Sequence, residues 1–208
     1  MYFLFDTETT GLPKGFNAKY SDDDAYSNCR IVSIAWFLVD EESLDIVSEN
    51  YHLIKPSTYT ITQESTNIHG ITHDFAVANG QPFSEIVQKL TEDLAACQHL
   101  VAHNVSFDFG VLLHELHVYK AIDPRGMAKA INHVFRINRL CTMRQGKQVM
   151  VTKKFPKLIE LYVHLFDKEP EGTLHNALVD TRVCYECFVA MNKKEKEQIH
   201  SPKRTISS

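Results

Sequence analysis

Three apolar stretches near the start of the chain predict β-strands. They cover residues 2–6, 31–39 and 46–54, and the second one is rich in β-branched and aromatic side chains. This composition is typical of a central strand in a sheet. We expect these three consecutive strands to form an antiparallel meander.

Helical spacing of apolar positions begins after residue 60. Within a predicted helix over residues 84–96, Ile86, Leu90 and Leu94 recur on one face, and Pro82 lies just before it. A second clear helical pattern follows Pro156. The other predicted elements are helical stretches around 63–78, a buried strand at 100–102, a helix over 105–118, a short helix near 127–134, a strand near 137–141, a loop to 154 and a last helix from 176 to about 192.

Strands followed by alternating helices and strands predict an α/β fold with a mixed sheet flanked by helices. The length of 208 residues fits one domain, which we place at residues 1–192. Residues 193–208 are charged and polar without an apolar stripe, so we expect a frayed tail.

Composition narrows the location of the protein. No apolar run reaches the roughly 18 residues of a membrane span. The chain opens directly into a strand, so we expect no signal peptide. Its five cysteines, an odd number without framework spacing, indicate a reducing compartment and predict a cytoplasmic protein.

The first motif with candidate chemistry is Asp-Thr-Glu-Thr-Thr-Gly at residues 6–11, directly after the first apolar run. Because side chains on a strand alternate with a period of two, Asp6 and Glu8 point to the same face and can hold one cation together. Mg²⁺ and Mn²⁺ prefer oxygen ligands of this kind. Taken alone, the pattern also fits an ordinary strand end that enters a polar turn.

Two later motifs supply further carboxylates and a histidine. Residues 103–108 read His-Asn-Val-Ser-Phe-Asp, and residues 175–180 read His-Asn-Ala-Leu-Val-Asp. Four carboxylates can hold two ions about 4 Å apart, which stabilise the attacking and the leaving oxygen at phosphorus. An imidazole such as that of His175 can accept a proton near neutral pH. The three motifs in this order predict a two-metal phosphodiesterase with a histidine base, whose crowded carboxylates repel one another until metal binds.

At these motifs the chain resembles the DEDDh family of 3′–5′ exonucleases, which includes the proofreading (epsilon) subunits of bacterial replicases. The resemblance extends from Phe3 to about Val189, and residues 67–72, Asn-Ile-His-Gly-Ile-Thr, are similar to a substrate-side segment of the proofreading branch. It implies a ribonuclease-H-like fold, with three antiparallel strands and then parallel strands in a mixed sheet flanked by helices. The polar insertion at residues 14–28 departs from the family pattern in its length.

The resemblance also implies a role for each motif residue. Asp6, Glu8 and Asp180 would ligate a first metal, and Asp6 would bridge to a second. Asp108 would support the second metal through water, and His175 would deprotonate the attacking water. The expected cofactors are two Mg²⁺ or Mn²⁺ ions per active site. The residues expected to line the pocket for the terminal nucleotides are Thr9, Thr10, Leu12, His69, Asn104 and Phe107.

The distribution of charge supports a polyanionic partner. The net charge is −4, yet residues 120–157 contain ten basic residues and one acidic residue, a local charge of +9. The rest of the chain holds 12 basic and 25 acidic residues, a charge of −13. A solvated Lys/Arg-rich loop would have the same composition, but the block lies between the second and third motifs. We therefore predict that it contacts a phosphate backbone and guides the strand into the site.

The implied reaction is hydrolysis of phosphodiester bonds at the 3′ end of DNA, with release of nucleoside monophosphates from a single-stranded 3′ end. The same chemistry on RNA ends is an alternative, because none of these residues clearly reads the 2′-hydroxyl; residues 67–72 favour DNA. A non-catalytic nucleic-acid or protein-binding module is a second alternative, against which the five intact catalytic positions argue. No polymerase domain is visible, so a stand-alone enzyme and a subunit with a polymerase partner both stay open.

Overall fold

The fold is built around one five-stranded sheet. The computed structural model describes residues 1–15, 18–121 and 123–200. The strands are β1 (Tyr2–Thr9), β2 (Ile31–Val39), β3 (Ile46–Leu53), β4 (His99–Ala102) and β5 (Asn138–Cys141). They lie in the order β3-β2-β1-β4-β5, with β1 to β3 antiparallel and with β4 and β5 parallel to β1. The predicted mixed sheet of antiparallel and then parallel strands is confirmed.

Burial along the strands follows their place in the sheet. Every residue of β2 is buried, and β1 lies between β2 and β4 at the centre. By contrast, β3 lies at an edge and alternates between half-buried and exposed positions. Since β2 is covered on both faces, its sequence is a nearly continuous apolar run rather than an alternating one.

Helices cover both faces of the sheet. On one face, α3, α4 and α5 pack over a core that includes Phe3, Phe5 and Trp36. On the other, α8 packs over Leu4 and Phe37, and α6 and α7 pack against α8. No helix within the described ranges is long and apolar enough to cross a membrane. The helices are α1 (Gln63–His69), α2 (His73–Asn79), α3 (Phe83–Ala95), α4 (Val105–Val118), α5 (Pro124–Arg136), α6 (Thr142–Val149), α7 (Leu158–Phe166) and α8 (Ala177–His200).

The prediction of a loop between the strand near 137–141 and residue 154 is wrong, because α6 (Thr142–Val149) occupies the first part of this segment. The buried residues of α6 are Thr142 and Gly146, so the helix lacks the apolar stripe from which a helix is predicted. It packs instead by close approach of its backbone. A Cβ atom at position 146 would lie 2.8 Å from the Leu161 side chain, which explains the glycine inside this helix.

Two elements extend further than expected. β1 continues to Thr9 rather than ending near residue 6, because it pairs with β2 as far as Ile31. The last helix was expected to end near residue 192, but it continues through residues 193–200. Lys, Glu and Gln are good helix formers, so a helix can propagate there without an apolar face. Residues 201–208 of the predicted tail lie outside the described residues, and the boundary at residue 192 stays a prediction.

The topology brings the three sequence motifs to one end of the sheet. β1 and β4 are parallel neighbours, so their carboxyl ends lie side by side. α4 starts shortly after β4, and α8 packs against β1. The motif residues at the ends of these elements therefore meet near the carboxyl ends of β1 and β4.

Candidate active site

Three of the predicted metal ligands lie together. Asp6 and Glu8 are two residues apart on β1 and point to the same face, on which α8 packs. Asp180 lies in the first turn of α8. One carboxylate oxygen from each of the three residues lies within 4.8 Å of the other two. The fold thus joins positions from opposite ends of the sequence into one acidic cluster.

The start of α8 fixes the orientation of Asp180. The Asn176 side-chain oxygen accepts the backbone N–H groups of Leu178 at 3.1 Å and Val179 at 3.4 Å. His175 has a left-handed backbone with φ of 63°, and its N–H donates to Asp180 Oδ2 at 3.0 Å. The other oxygen, Oδ1, is buried and has no hydrogen-bond partner among the described residues. A buried carboxylate oxygen of this kind is costly unless a cation or water satisfies it.

Asp108 lies beside the trio of Asp6, Glu8 and Asp180, and it is held by Thr7, for which the sequence predicted no role. It is in the first turn of α4 and only 3% exposed. The Thr7 hydroxyl donates to Asp108 Oδ1 at 2.8 Å. Thr7 stands between Asp6 and Glu8 on β1, so its side chain points to the opposite face, towards α4. That alternation, together with the position of the second motif on a helix, is the signal that could have identified Thr7.

Burial raises the pKa of all four carboxyl groups, and neighbouring carboxylate charges raise it further for Asp6, Glu8 and Asp108. Burial is the largest cause for each of them. The pKa of Asp6 lies well above its usual range, and the charges of Asp108, Asp180 and Glu8 add to the effect of burial. The pKa of Glu8 is about 7, and that of Asp108 is also about 7 although hydrogen bonds lower it. The pKa of Asp180 is raised to about 6, against the lowering effect of the His175 N–H.

The residues of the cluster fit a hard divalent cation. Asp6, Glu8 and Asp180 offer converging carboxylate oxygens, and Asp180 Oδ1 lacks any other partner within the described ranges. Repulsion between like charges is what a cation would relieve. Oxygen ligands without sulfur or imidazole nitrogen suit Mg²⁺ or Mn²⁺ rather than the softer transition metals.

A cleft of about 420 Å³ opens at the start of α8, where its lining includes the residue before Asp180. Asn67 and His69 line it from α1, and His175, Asn176 and Val179 line it from the start of α8. His175 is exposed. The predicted general base, His175, and one predicted substrate-binding residue, His69, therefore face the same open space. Asp180, a predicted metal ligand, follows Val179 in the chain.

His69 lines this cleft and keeps one ring nitrogen without a hydrogen-bond partner among the described residues. α1 ends at His69, because Gly70 adopts the left-handed conformation that closes a helix. The His69 ring is 8% exposed, and its Nδ1 accepts the backbone N–H of Ile71 at 3.1 Å. This bond assigns the proton to Nε2, which is buried without a partner among the described residues. Burial lowers the pKa of His69, so the neutral ring is favoured.

Three other predicted pocket residues lie at or just after the end of β1, and their side chains have different surroundings. Thr9 donates from its hydroxyl to the carbonyl two residues on, at 2.8 Å. The buried Thr10 hydroxyl donates to the Asn28 carbonyl at 2.9 Å and accepts the Arg30 N–H at 3.0 Å, so it closes the polar insertion. Leu12 is 74% exposed and free to contact a ligand. Contact of all three with substrate stays a prediction.

The second motif contains two predicted pocket residues and one structural histidine. Asn104 is exposed, with a left-handed φ of 73°, and Phe107 is half-buried against the core. His103 has both ring nitrogens engaged, Nδ1 with the Thr142 hydroxyl and Nε2 with the Pro156 carbonyl, each at 3.0 Å. It therefore anchors the motif to the segment before α7, a role that only the folded structure shows.

The fold and the acidic cluster define an α/β domain in which three carboxylates converge between the central strand β1 and the start of α8. A family model described as Exonuclease (RNase_T) matches residues 3–188. The chain belongs to this exonuclease family.

Individual relatives agree with this assignment. The DNA polymerase III subunit epsilon of Escherichia coli is 24% identical over 192 residues, which cover 90% of this chain and 70% of the relative. The same subunit of Treponema pallidum is 30% identical over 202 residues, covering 91% of this chain and 75% of the relative. The predicted resemblance to exonucleases of the proofreading type is confirmed.

Solved structures confirm the fold. Exonuclease X in complex with 5′ overhanging duplex DNA aligns with a TM-score of 0.59 and 23% identity, over 94% of this chain and 93% of that one. Exonuclease I aligns with a TM-score of 0.68 and 17% identity, over 95% of this chain and 42% of that one. The predicted ribonuclease-H-like fold of these exonucleases is therefore present.

Proposed function

We propose that the protein is a 3′–5′ exonuclease that releases nucleoside monophosphates from DNA ends. The observation that carries the proposal is the convergence of Asp6, Glu8 and Asp180 beside a cleft that also exposes His175. An exonuclease must hold one chain end and activate water beside its last phosphodiester. The cleft and the cluster supply adjacent places for these two tasks.

Two Mg²⁺ or Mn²⁺ ions would be held by these carboxylates. Asp6, Glu8 and Asp180 would hold one ion, while Asp6 and the Thr7-bound Asp108 would serve the other. When bound, such ions neutralise phosphate charge and stabilise the attacking and the leaving oxygens. The protein contributes the orientation of each ligand, through the strand alternation of β1, the hydrogen bond from Thr7 and the hydrogen bond from the His175 N–H to Asp180.

His175 is the proposed general base. Its backbone is tied to Asp180, which keeps the ring near the acidic cluster, and its side chain is exposed at the cleft. An imidazole there can take the proton of an attacking water near neutral pH. His69 has a buried neutral ring, and its Nε2–H has no partner among the described residues, so it is suited to donate a hydrogen bond to the substrate rather than to accept a proton.

DNA is favoured over RNA by the segment from residue 67 to residue 72 and by the relatives. Those relatives are DNA polymerase III epsilon subunits by name, and one solved exonuclease I carries a dT13 oligonucleotide. An RNA substrate is the second candidate, because a 3′-exonuclease that recognises a histone mRNA stem-loop has the same fold, with a TM-score of 0.65 and 14% identity. Association with a polymerase, suggested by the names of the epsilon relatives, stays a prediction.

The test uses 5′-labelled single-stranded DNA and RNA of matched sequence with Mg²⁺ or Mn²⁺. We expect a ladder that shortens from the 3′ end, with DNA degraded faster. Asp6→Ala should abolish the ladder, and Glu85→Ala, which removes an exposed carboxylate from α3 on the other face of the sheet, should not. Faster cleavage of RNA would reverse the choice of substrate. Full activity of Asp6→Ala would contradict the metal assignment.

A further inference from the structure

The basic residues of segment 120–157 divide between two sides of the molecule. Arg125 and Lys129 lie on α5, which packs with α3 and α4 on the sheet face opposite α8. Only the second half of the segment, which follows β5, lies on the side of α8 and Asp180. None of its five cations forms an ion pair with a carboxylate in the part of the chain that the structure describes. These cations are Arg144, Lys147, Lys153, Lys154 and Lys157.

The α6–α7 loop, defined as residues 150–157, exposes apolar side chains between these cations. Val151 is 91% exposed and Phe155 is 53% exposed. The Lys147 ammonium lies 4.6 Å from the centre of the Phe155 ring. Val151 also has a φ of 49°, which is unfavourable for a β-branched residue. Strained backbone of this kind concentrates where proteins contact ligands.

The base of the loop is fixed relative to the carboxylate cluster. His103 Nε2 donates to the Pro156 carbonyl at 3.0 Å, and Pro156 itself is buried. A Cβ atom on Gly146 would lie 3.2 Å from the Pro156 ring, so the glycine lets α6 approach the loop closely. His103 immediately precedes Asn104 and the helix that carries Asp108. The exposed tip of the loop therefore stands on a base that is tied to the second motif.

An exposed aromatic ring among unpaired cations is the combination that binds single-stranded nucleic acid. Bases of any sequence stack on the ring, and phosphates pair with the cations. We propose that the α6–α7 loop is a second nucleic-acid contact, which holds the single strand on the 5′ side of the terminal nucleotides. Phe155 stacks on a base, and Lys153 and Lys154 pair with phosphates. This inference rests on the proposed exonuclease function and adds to it a dependence on substrate length.

The test compares a trinucleotide, which we expect to fill only the terminal-nucleotide pocket, with single-stranded DNA of about 20 nucleotides. For Phe155→Ala we expect KM for the long substrate to rise about tenfold, with Phe155→Trp close to the wild type, because loss of one stacked base costs about that much affinity. For Lys153→Glu combined with Lys154→Glu, the slope of log KM against log salt should fall by about 1.4, at about 0.7 for each phosphate that is no longer neutralised. Phe155→Ala and the double lysine variant should both hydrolyse the trinucleotide at the wild-type rate.

The matched control is Arg125→Glu combined with Lys129→Glu, which changes the net charge equally on the opposite face. This control variant should cleave both substrates with the kinetics of the wild type. The loop inference is overturned if the loop variants match the wild type on the long substrate, if they lose activity equally on both substrates, or if the control variant has the same effect. Failure of the wild type to cleave either substrate would instead overturn the proposed function itself.

Discussion

Replacement of Asp180 by asparagine is expected to stabilise the metal-free protein while it removes metal binding. Asparagine has nearly the same shape, and its carbonyl oxygen can still accept the His175 N–H. Its amide can donate to a carboxylate oxygen of Asp6 or Glu8, which both lie within 4.8 Å of an Asp180 oxygen. The substitution therefore removes one negative charge from the cluster and leaves its packing in place.

The size of the effect follows from the pKa of Asp180, which is raised from 3.8 to about 6. Because the folded protein favours the protonated group, the associated stability is fully present below about pH 4 and is lost as the pH rises through about 6. At about 1.4 kcal/mol for each unit of pKa, the ionised carboxylate lowers the free energy of unfolding by about 3 kcal/mol. We expect Asp180→Asn to recover about 1–3 kcal/mol near pH 8 and almost none near pH 4.

The assay is urea unfolding with a chelator present, at about pH 8 and about pH 4, followed by titration with Mn²⁺. Mn²⁺ should stabilise the wild type by mass action and should leave Asp180→Asn unchanged. A variant no more stable than the wild type at the higher pH would refute the reasoning. An equal gain at both pH values would also refute it, because the gain would then come from packing rather than from charge.

Three further substitutions test other parts of the site and core. Thr7→Val removes the hydroxyl that binds Asp108 and should lower kcat about tenfold, with recovery in Thr7→Ser; equal kinetics for the two variants would count against a positioning role. Glu115→Ala leaves the buried Arg30 guanidinium without the carboxylate now 2.7 Å away, and should lower the free energy of unfolding in urea by about 3–5 kcal/mol; an unchanged midpoint would disagree. His175→Ala should slow cleavage by about 100-fold to 10,000-fold and keep the thermal stabilisation by Mn²⁺, whereas loss of both would indicate a ligand rather than a base.

The inner strands of the sheet could be predicted from the sequence because β1, β2 and β4 are dense in apolar residues. The run at residues 31–39 is buried on both faces, and its nearly continuous apolar sequence predicts such a strand. α6 could not be predicted in the same way. It packs through Thr142 and through the close approach of Gly146 to Leu161, and neither leaves a hydrophobic period in the sequence.

The shared face of Asp6 and Glu8 could be predicted because strand alternation constrains it locally. Asp6 and Glu8 needed only the period of a strand. The partners of the motif residues were harder to see, since they depend on which elements pack together. Thr7 binds Asp108 because α4 packs against β1. His103 binds the Pro156 carbonyl because the segment before α7 lies close to the end of β4.

The carboxylate trio joins the first strand to the last helix, and this has a consequence for biosynthesis. While a ribosome is still making the chain, Asp180 follows Asp6 and Glu8 only after about 170 further residues. β1 also needs β4 as a neighbour before its place in the sheet is complete. The nascent polypeptide therefore lacks the complete carboxylate trio, and we expect no cleavage of nucleic acid by an unfinished chain until α8 has docked.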